Sequence, residues 1–136
     1  TPEKIRDRHA RYWKPGDPGK GRMFVIMVGP ELAAAGSVGY WEIKWQGQPI
    51  WETGWSVLPE FQGRGAATRA TLLAAEQARA SKKHRFMHAF PSVDNLSSNA
   101  ICRKAGFSLQ GEFDFEYPPG NLLRCNDWRL DLFADA

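Results

Sequence analysis

The chain has 136 residues, 43% hydrophobic and 24% charged, enough to bury a core as one domain spanning 1–136 without disulfide or metal staples. Its formal net charge of +3 and pI of about 9.0 suit an anionic ligand, but the basic residues are spread along the chain, which argues against nucleic acid as a partner. No apolar run approaches the ~20 residues of a membrane span, no signal peptide is recognisable, and Cys102 and Cys125 lack metal-ligand spacing and read as reduced thiols of a cytoplasmic protein.

Thr1-Pro2-Glu3 reads as a helix start, with a capping hydroxyl, Pro in the first turn and an acid near the positive dipole end. Ile5, His9, Tyr12 and Trp13 then share one helical face. The chain begins at Thr1 without Met, the mark of a processed chain or a fragment. After the loop Lys14–Gly19, Met23–Val28 is a β-branched and aromatic strand stopped by Gly29-Pro30. Gly36–Trp45 and Ile50–Leu58 read as a hairpin turned by Gln46-Gly47-Gln48-Pro49. A long alanine-rich helix is expected from about Gly65 to Ala80, a strand over His84–Phe90, and a second helix from Asn95 or Ser97 to about Lys104, capped by Gly106. Phe107–Tyr117 and Leu122–Phe133 close the chain as strands. The expected class is α/β (α+β), a central mixed, largely antiparallel sheet flanked by helices.

The turn Gln62-Gly63-Arg64-Gly65-Ala66-Ala67 lies where strand passes into helix. Glycine and alanine let backbone N–H groups approach a ligand closely, and the first helical turn has unpaired donors and partial positive charge. Such a junction binds anions, phosphate above all. Neither the dinucleotide pattern GxGxxG nor the Walker pattern GxxxxGK[ST] is present.

The order Val57-x-Pro59-x-Phe61-Gln62-x-x-Gly65-x-Ala67 resembles the acetyl-coenzyme A signature Q/R-x-x-G-x-G/A of the GNAT superfamily of N-acetyltransferases. Asn95-Leu-Ser-Ser98, with Gly106-Phe107 at the end of the same segment, is similar to the family's second conserved-looking stretch. The resemblance implies a strand ending at Val57 that splays from the strand near His84, with acetyl-CoA between them. Ser56 and Val57 would then offer main-chain contacts. Gln62, Gly63, Arg64, Gly65, Ala66, Ala67 and Thr68 would surround the pyrophosphate, and Asn95 would contact the cofactor.

The chain departs from the family at several points. Cys102 stands where many members carry an acidic Tyr, and Phe90 where some carry a basic Glu. Ser98 is similar to the branch of ribosomal-protein N-terminal acetyltransferases, where a Ser can take the acid's place. Trp51 fills the position of another family Glu, and the adjacent Glu52, the candidate base, would face the other way in a regular strand. The N-terminal strand and first helix of the fold are not matched before Thr1.

The bland readings stand beside these. Asn95 suits a helix N-cap, Ser98 a first-turn hydroxyl, and Glu52 a solvated strand face. His84 and His88, four apart, would share a strand face but lack further metal ligands. Trp41, Trp45, Trp51 and Trp55 fit core packing or the wall of an acceptor pocket. Asp114, Glu116 and Asp127 would attract a cationic amine or lie on the surface.

The resemblance thus implies transfer of acetyl from acetyl-CoA to a primary amine by direct attack in a ternary complex, without a metal. The acceptor is a protein N-terminus or a small amine, and self-association as a homodimer is left open. A non-catalytic acyl-CoA-binding module is the competing reading.

Overall fold

Two residues close the longest hairpin of the molecule. Gln46 and Gly47 take φ values of 51° and 80°, the paired positive angles of a type I′ turn, whose twist matches the strands on either side. The computed structural model describes residues 19–116 and 119–134. The helix expected over Thr1–Trp13 lies outside them, as does Tyr117.

The elements follow in the expected order, with bounds shifted by a few residues: β1 (Gly21–Val28), β2 (Ala33–Trp45), β3 (Gln48–Val57), a 3-10 turn (Pro59–Phe61), α1 (Ala66–Ser81), β4 (Phe86–Ala89), α2 (Leu96–Lys104), β5 (Ser108–Glu116) and β6 (Leu122–Asp131). The six strands form one sheet in the order β1-β2-β3-β4-β6-β5. All neighbours are antiparallel except β3 and β4, whose parallel crossover is made by α1. Among the described residues no helix is long and apolar enough to cross a membrane.

Helix α1 turns a stripe of small residues to the sheet, with Ala66, Ala70, Ala74 and Ala78 at helical spacing and Thr71 and Ala75 beside them, all buried. Alanine has the highest helix propensity and lets the helix axis come close to the strands. The sheet supplies the bulk. Tyr40, Trp51, Met87 and Leu132 are fully buried, and the Tyr40 and Trp51 rings meet edge to face with centroids 4.9 Å apart. Thr71 satisfies its hydroxyl by donating to the Ala67 carbonyl at 2.7 Å.

The sheet is nearly open at its centre. β3 and β4 pair only at Trp51↔Met87 and Glu52↔His88, after which β3 runs on to Val57 while β4 ends at Ala89. Against β2, by contrast, β3 keeps unbroken register from Trp45↔Gln48 to Gly36↔Val57. Gly36 permits that closeness, since a Cβ there would lie 1.9 Å from the Ser56 carbonyl oxygen. The parting is therefore on the β4 side alone.

Candidate active site

The turn between β3 and α1 is built without bulk. Gly63 and Gly65 take φ values of 77° and 75°, left-handed conformations that side chains disfavour, and a Cβ on Gly63 would meet nothing within 4 Å. Gly65 is the N-cap of α1, with no side-chain cap bond, and the first amide of this turn bonded along the helix is that of Arg69, to the Gly65 carbonyl. The N–H groups of Ala66, Ala67 and Thr68 thus open a helix with no intrahelical partner. Gln62 fastens the turn from below, its Nε2 donating to the Val57 carbonyl at 2.9 Å. Arg64 lies with its guanidinium 5.6 Å from the centre of the Phe61 ring.

A cleft of about 370 Å³ follows this turn down to the parted strands. Its walls bring together Ser56, Val57, the residues Gln62, Gly63 and Gly65–Thr68, and Asn95 and Ser98 across the gap. Lys104 also lines it, a cation that sequence pattern signals only as a basic residue in the last turn of α2. The Leu58 amide donates to the Ala35 carbonyl at 2.7 Å, and the Ser56 carbonyl is aimed at Gly36, so both residues face β2. Alternation turns the peptide groups of Val57 the other way, into the gap. Of the two main-chain contacts expected, Val57 offers its N–H there, its carbonyl being taken by Gln62, while the Ser56 carbonyl is directed at β2. The uncapped amides and the Cβ-free turn fit a pyrophosphate, and the gap fits an extended, amide-bearing arm.

Helix α2 forms the opposite wall. Asn95 is its N-cap, Oδ1 accepting from the Ser98 amide and the Ser97 hydroxyl, both at 3.1 Å. Asn99, one turn on, is buried and fully engaged. Its Nδ2 donates to the Ser92 and Asn95 carbonyls at 3.0 and 2.8 Å, and its Oδ1 accepts from Asn126 Nδ2 and Trp128 Nε1, both at 2.8 Å. This hub locks α2 to β6 and fixes the direction of Ser98. The only sequence signal for it is an amide inside a helix, where amides are disfavoured unless they bond.

A second cavity, about 530 Å³, opens on the other side of the parting and shares Trp55, Ser56, Asn95 and Ser98 with the first. Trp55 marks the junction, its Nε1 donating to Ser98 Oγ at 3.3 Å. Glu52 lines the cavity, whereas Trp51 packs in the core. No bulge interrupts β3, so regular alternation sends the acid to the cavity and the tryptophan to the core. Burial raises the Glu52 pKa above the ordinary carboxylate value, against one hydrogen bond from Trp41 Nε1 at 3.0 Å that favours the ion.

Other expectations need revision. His84 and His88 do not share a strand face, because β4 begins only at Phe86 and period-two alternation does not reach back to His84. His84 Nε2 meets Glu42 at 2.7 Å with its ring against Trp51, while His88 Nδ1 meets Asp127 at 2.6 Å with its ring stacked on Phe90. Burial holds His88 toward its neutral form, partly offset by Asp127. Among the described residues no group of three or more His, Cys, Asp or Glu side chains could hold a metal ion.

The tryptophans divide by role, Trp51 in the core, Trp41 and Trp55 in the cavity wall, and Trp45 against Phe90 and Phe113. Asp127 is engaged by His88 and Asp114 by Arg124, and Glu116 accepts from the Gly120 amide. Cys102 is fully buried, and that burial pushes its thiol up to about 12, as befits a small apolar residue of the core.

The family model described as "Acetyltransferase (GNAT) domain" matches residues 1–108. A search of curated protein sequences finds no match. Among solved structures the chain is similar to the ribosomal-protein-S5-alanine acetyltransferase of Vibrio fischeri, with a TM-score of 0.77, 21% identity, and coverage of 98% of this chain and 73% of that one. It is similar to the spermidine N-acetyltransferase of Vibrio cholerae in complex with CoA and spermine, with a TM-score of 0.70, 18% identity, and coverage of 96% and 73%. A GNAT-family acetyltransferase of Bacillus anthracis aligns at a TM-score of 0.69 and 20% identity, covering 82% of this chain and 67% of that one. At such identities the likeness is one of fold, and the mixed sheet with its two helices is the fold they share.

Proposed function

The chain belongs to the GNAT acetyltransferase family, and from that premise we propose that it transfers acetyl to a primary amine by direct attack in a ternary complex, with Glu52 as base and Ser98 as acid. As a GNAT acetyltransferase it acts with acetyl-CoA, which supplies the acetyl group as a thioester. The observation that carries the finer reading is the meeting of two cavities at Trp55 and Ser98, with Glu52 on the wall of one and the uncapped start of α1 on the wall of the other.

The residues of this chain divide the work. The amides of α1's first turn and the Gly63–Gly65 backbone hold the pyrophosphate charge, and Gln62 keeps that turn against β3. Asn95 shapes the wall where the two cavities join. An amine arrives protonated, so Glu52 must first take a proton from it. A carboxylate whose burial raises its pKa is a stronger base for that step than an exposed one. The Val57 amide faces the gap and would donate to the carbonyl oxygen as negative charge grows on it. Ser98 Oγ, already accepting from Trp55, has its own proton free to donate to the departing thiolate. That leaving group needs little assistance, so the Cys102 position of the family's Tyr is not required for turnover.

The acceptor is the α-amine of a protein N-terminus or a small amine. The Vibrio fischeri structure is named for an alanine of a ribosomal protein and the Vibrio cholerae one for spermidine, and both names support an amine.

The test is thermal melting with and without acetyl-CoA, beside Gly65→Glu, which sets a carboxylate at the phosphate turn. Acetyl-CoA at about 100 times its dissociation constant should stabilise the wild type by about 2.7 kcal/mol, and the variant should show no shift. A folded wild type that does not respond would refute the reading.

A further inference from the structure

We infer that the acceptor is a primary monoamine borne on an apolar, ring-sized body, and that polyamines are excluded; this rests on the transferase reading of the same cavity. Two observations carry it. The first is the lining. The described walls of the 530 Å³ cavity carry Trp41, Ile43, Trp55, Phe90, Pro91 and Phe115 beside the neutral polar Thr53, Ser56, Asn95 and Ser98, and no Lys or Arg is among them. Such a surface gains from covering apolar area and, at the aromatic faces, from a single cation.

The second is the count of carboxylates. Two line the cavity, Glu42 and Glu52. Glu42 is already neutralised, its Oε1 lying 2.7 Å from His84 Nε2 and 3.3 Å from Lys83 Nζ. Although burial opposes its charge, those hydrogen bonds keep it ionised below the ordinary pKa. Glu52 accepts from the Trp41 indole and meets no cation among the described residues. Beyond the walls, Asp127 is held by His88, and Glu112 and Asp114 by Arg124, both at 3.0 Å.

On the described walls one carboxylate therefore remains to meet one ammonium group, while Glu116, outside them, accepts only from the Gly120 amide. A second or third ammonium on the same molecule would be desolvated against walls that offer neutral hydroxyls and an amide but no further counter-charge, a penalty that hydrogen bonds alone offset only in part. An apolar body next to the amine would fill the same space favourably. Two sources offer that chemistry, a free arylalkylamine and a polypeptide whose first residue is apolar.

The experiment follows CoA release by the full chain at saturating acetyl-CoA. The acceptors are phenylethylamine, ethylamine, spermidine, and the amides of Phe-Gly-Gly and Lys-Gly-Gly. Phenylethylamine should exceed ethylamine in kcat/KM by about 10-fold or more, the discrimination an apolar pocket delivers. It should also exceed spermidine, and the Phe peptide the Lys peptide. The ratio of the Phe peptide to phenylethylamine assigns the source. Ile43→Glu, which adds a second carboxylate to the wall, should shift preference toward spermidine by about 10-fold.

Spermidine equal to or better than phenylethylamine would overturn the inference and leave the transferase reading intact. If no amine turns over, that reading fails, and tryptophan fluorescence with CoA present decides the inference separately. Saturable quenching by phenylethylamine but not spermidine supports it, and the reverse order or no quenching overturns it.

Discussion

Replacing Asn99 by Leu keeps the volume near constant and removes four hydrogen bonds at once. The four losses are unequal. The Ser92 and Asn95 carbonyls keep a second donor each, from the Asn95 and Asn99 amides at 3.0 Å. Asn126 is half-buried and can turn its amide toward water. The Trp128 indole N–H is the true orphan, on a residue 6% exposed and facing the helix. One stranded buried donor at about 1–3 kcal/mol, plus modest net losses for the rest, gives about 2–4 kcal/mol. Urea or guanidinium unfolding reads this as a lower midpoint at unchanged slope. Trp128→Phe removes the orphan itself, so the double variant should be less destabilised than the sum of the two singles by about 1 kcal/mol. Because Ser98 and Asn95 ride on the same turn, acetyl transfer should fall as well, including at denaturant-free conditions where the variant is folded. A stability within about 0.5 kcal/mol of wild type, with strict additivity in the double variant, would refute the hub.

Glu52→Gln should lower kcat/KM by roughly 100-fold or more and abolish the acidic limb of the pH–rate profile, which lies above the ordinary carboxylate range because the pKa is raised. The same shift has an opposite sign for stability. Raised by burial, the folded state holds the proton more tightly than the unfolded chain, so stability is lost as pH climbs from the ordinary value through the raised one. Glu52→Gln should therefore match wild type in acid and be the more stable protein at neutral pH, as calorimetry across pH would record. Trp51→Ala empties the centre of the core and should cost about 3–5 kcal/mol in the same unfolding assay. Cys102, with its thiol pushed up to about 12, should resist iodoacetamide at pH 8 in the native protein and react only after unfolding, a difference mass spectrometry detects.

Local chemistry in the chain reaches as far as the glycine turn before α1, the N-cap at Asn95 and the order of elements, because each depends on residues adjacent in sequence. Gly63, Gly65 and the alanines after them announce a helix start wherever they occur. Alternation sets Trp51 and Glu52 on opposite sides of β3, but which side meets the cavity depends on where α1 packs, and that is not local. The Asn99 hub is different. Its partners come from β6, and nothing in LSSNAICRK foretells that α2 crosses Asn126 and Trp128. The division of the histidines likewise depends on where β4 starts, a boundary set by pairing with β6 instead of by composition. The neutralisation of Glu42, on which the acceptor class turns, needs β2 to meet the α1–β4 connection that carries both Lys83 and His84.

The narrow seam between β3 and β4 has a kinetic meaning. Strands β1, β2 and β3 are successive neighbours joined by short turns, so they can zip up from local contacts alone, and β5 and β6 form a hairpin of their own. Joining these two portions requires α1 to be laid down first and a distant pair of strands to find one another, for the reward of only two register pairs. Closure across the seam is thus the step with the most chain to order and the fewest bonds to gain, the slow end of assembly on topological grounds. What holds the halves together once met is the shared core, where Trp51 of β3, Met87 of β4 and Leu132 just past β6 are buried together, with Arg79 of α1 donating to the Leu132 carbonyl at 2.8 Å.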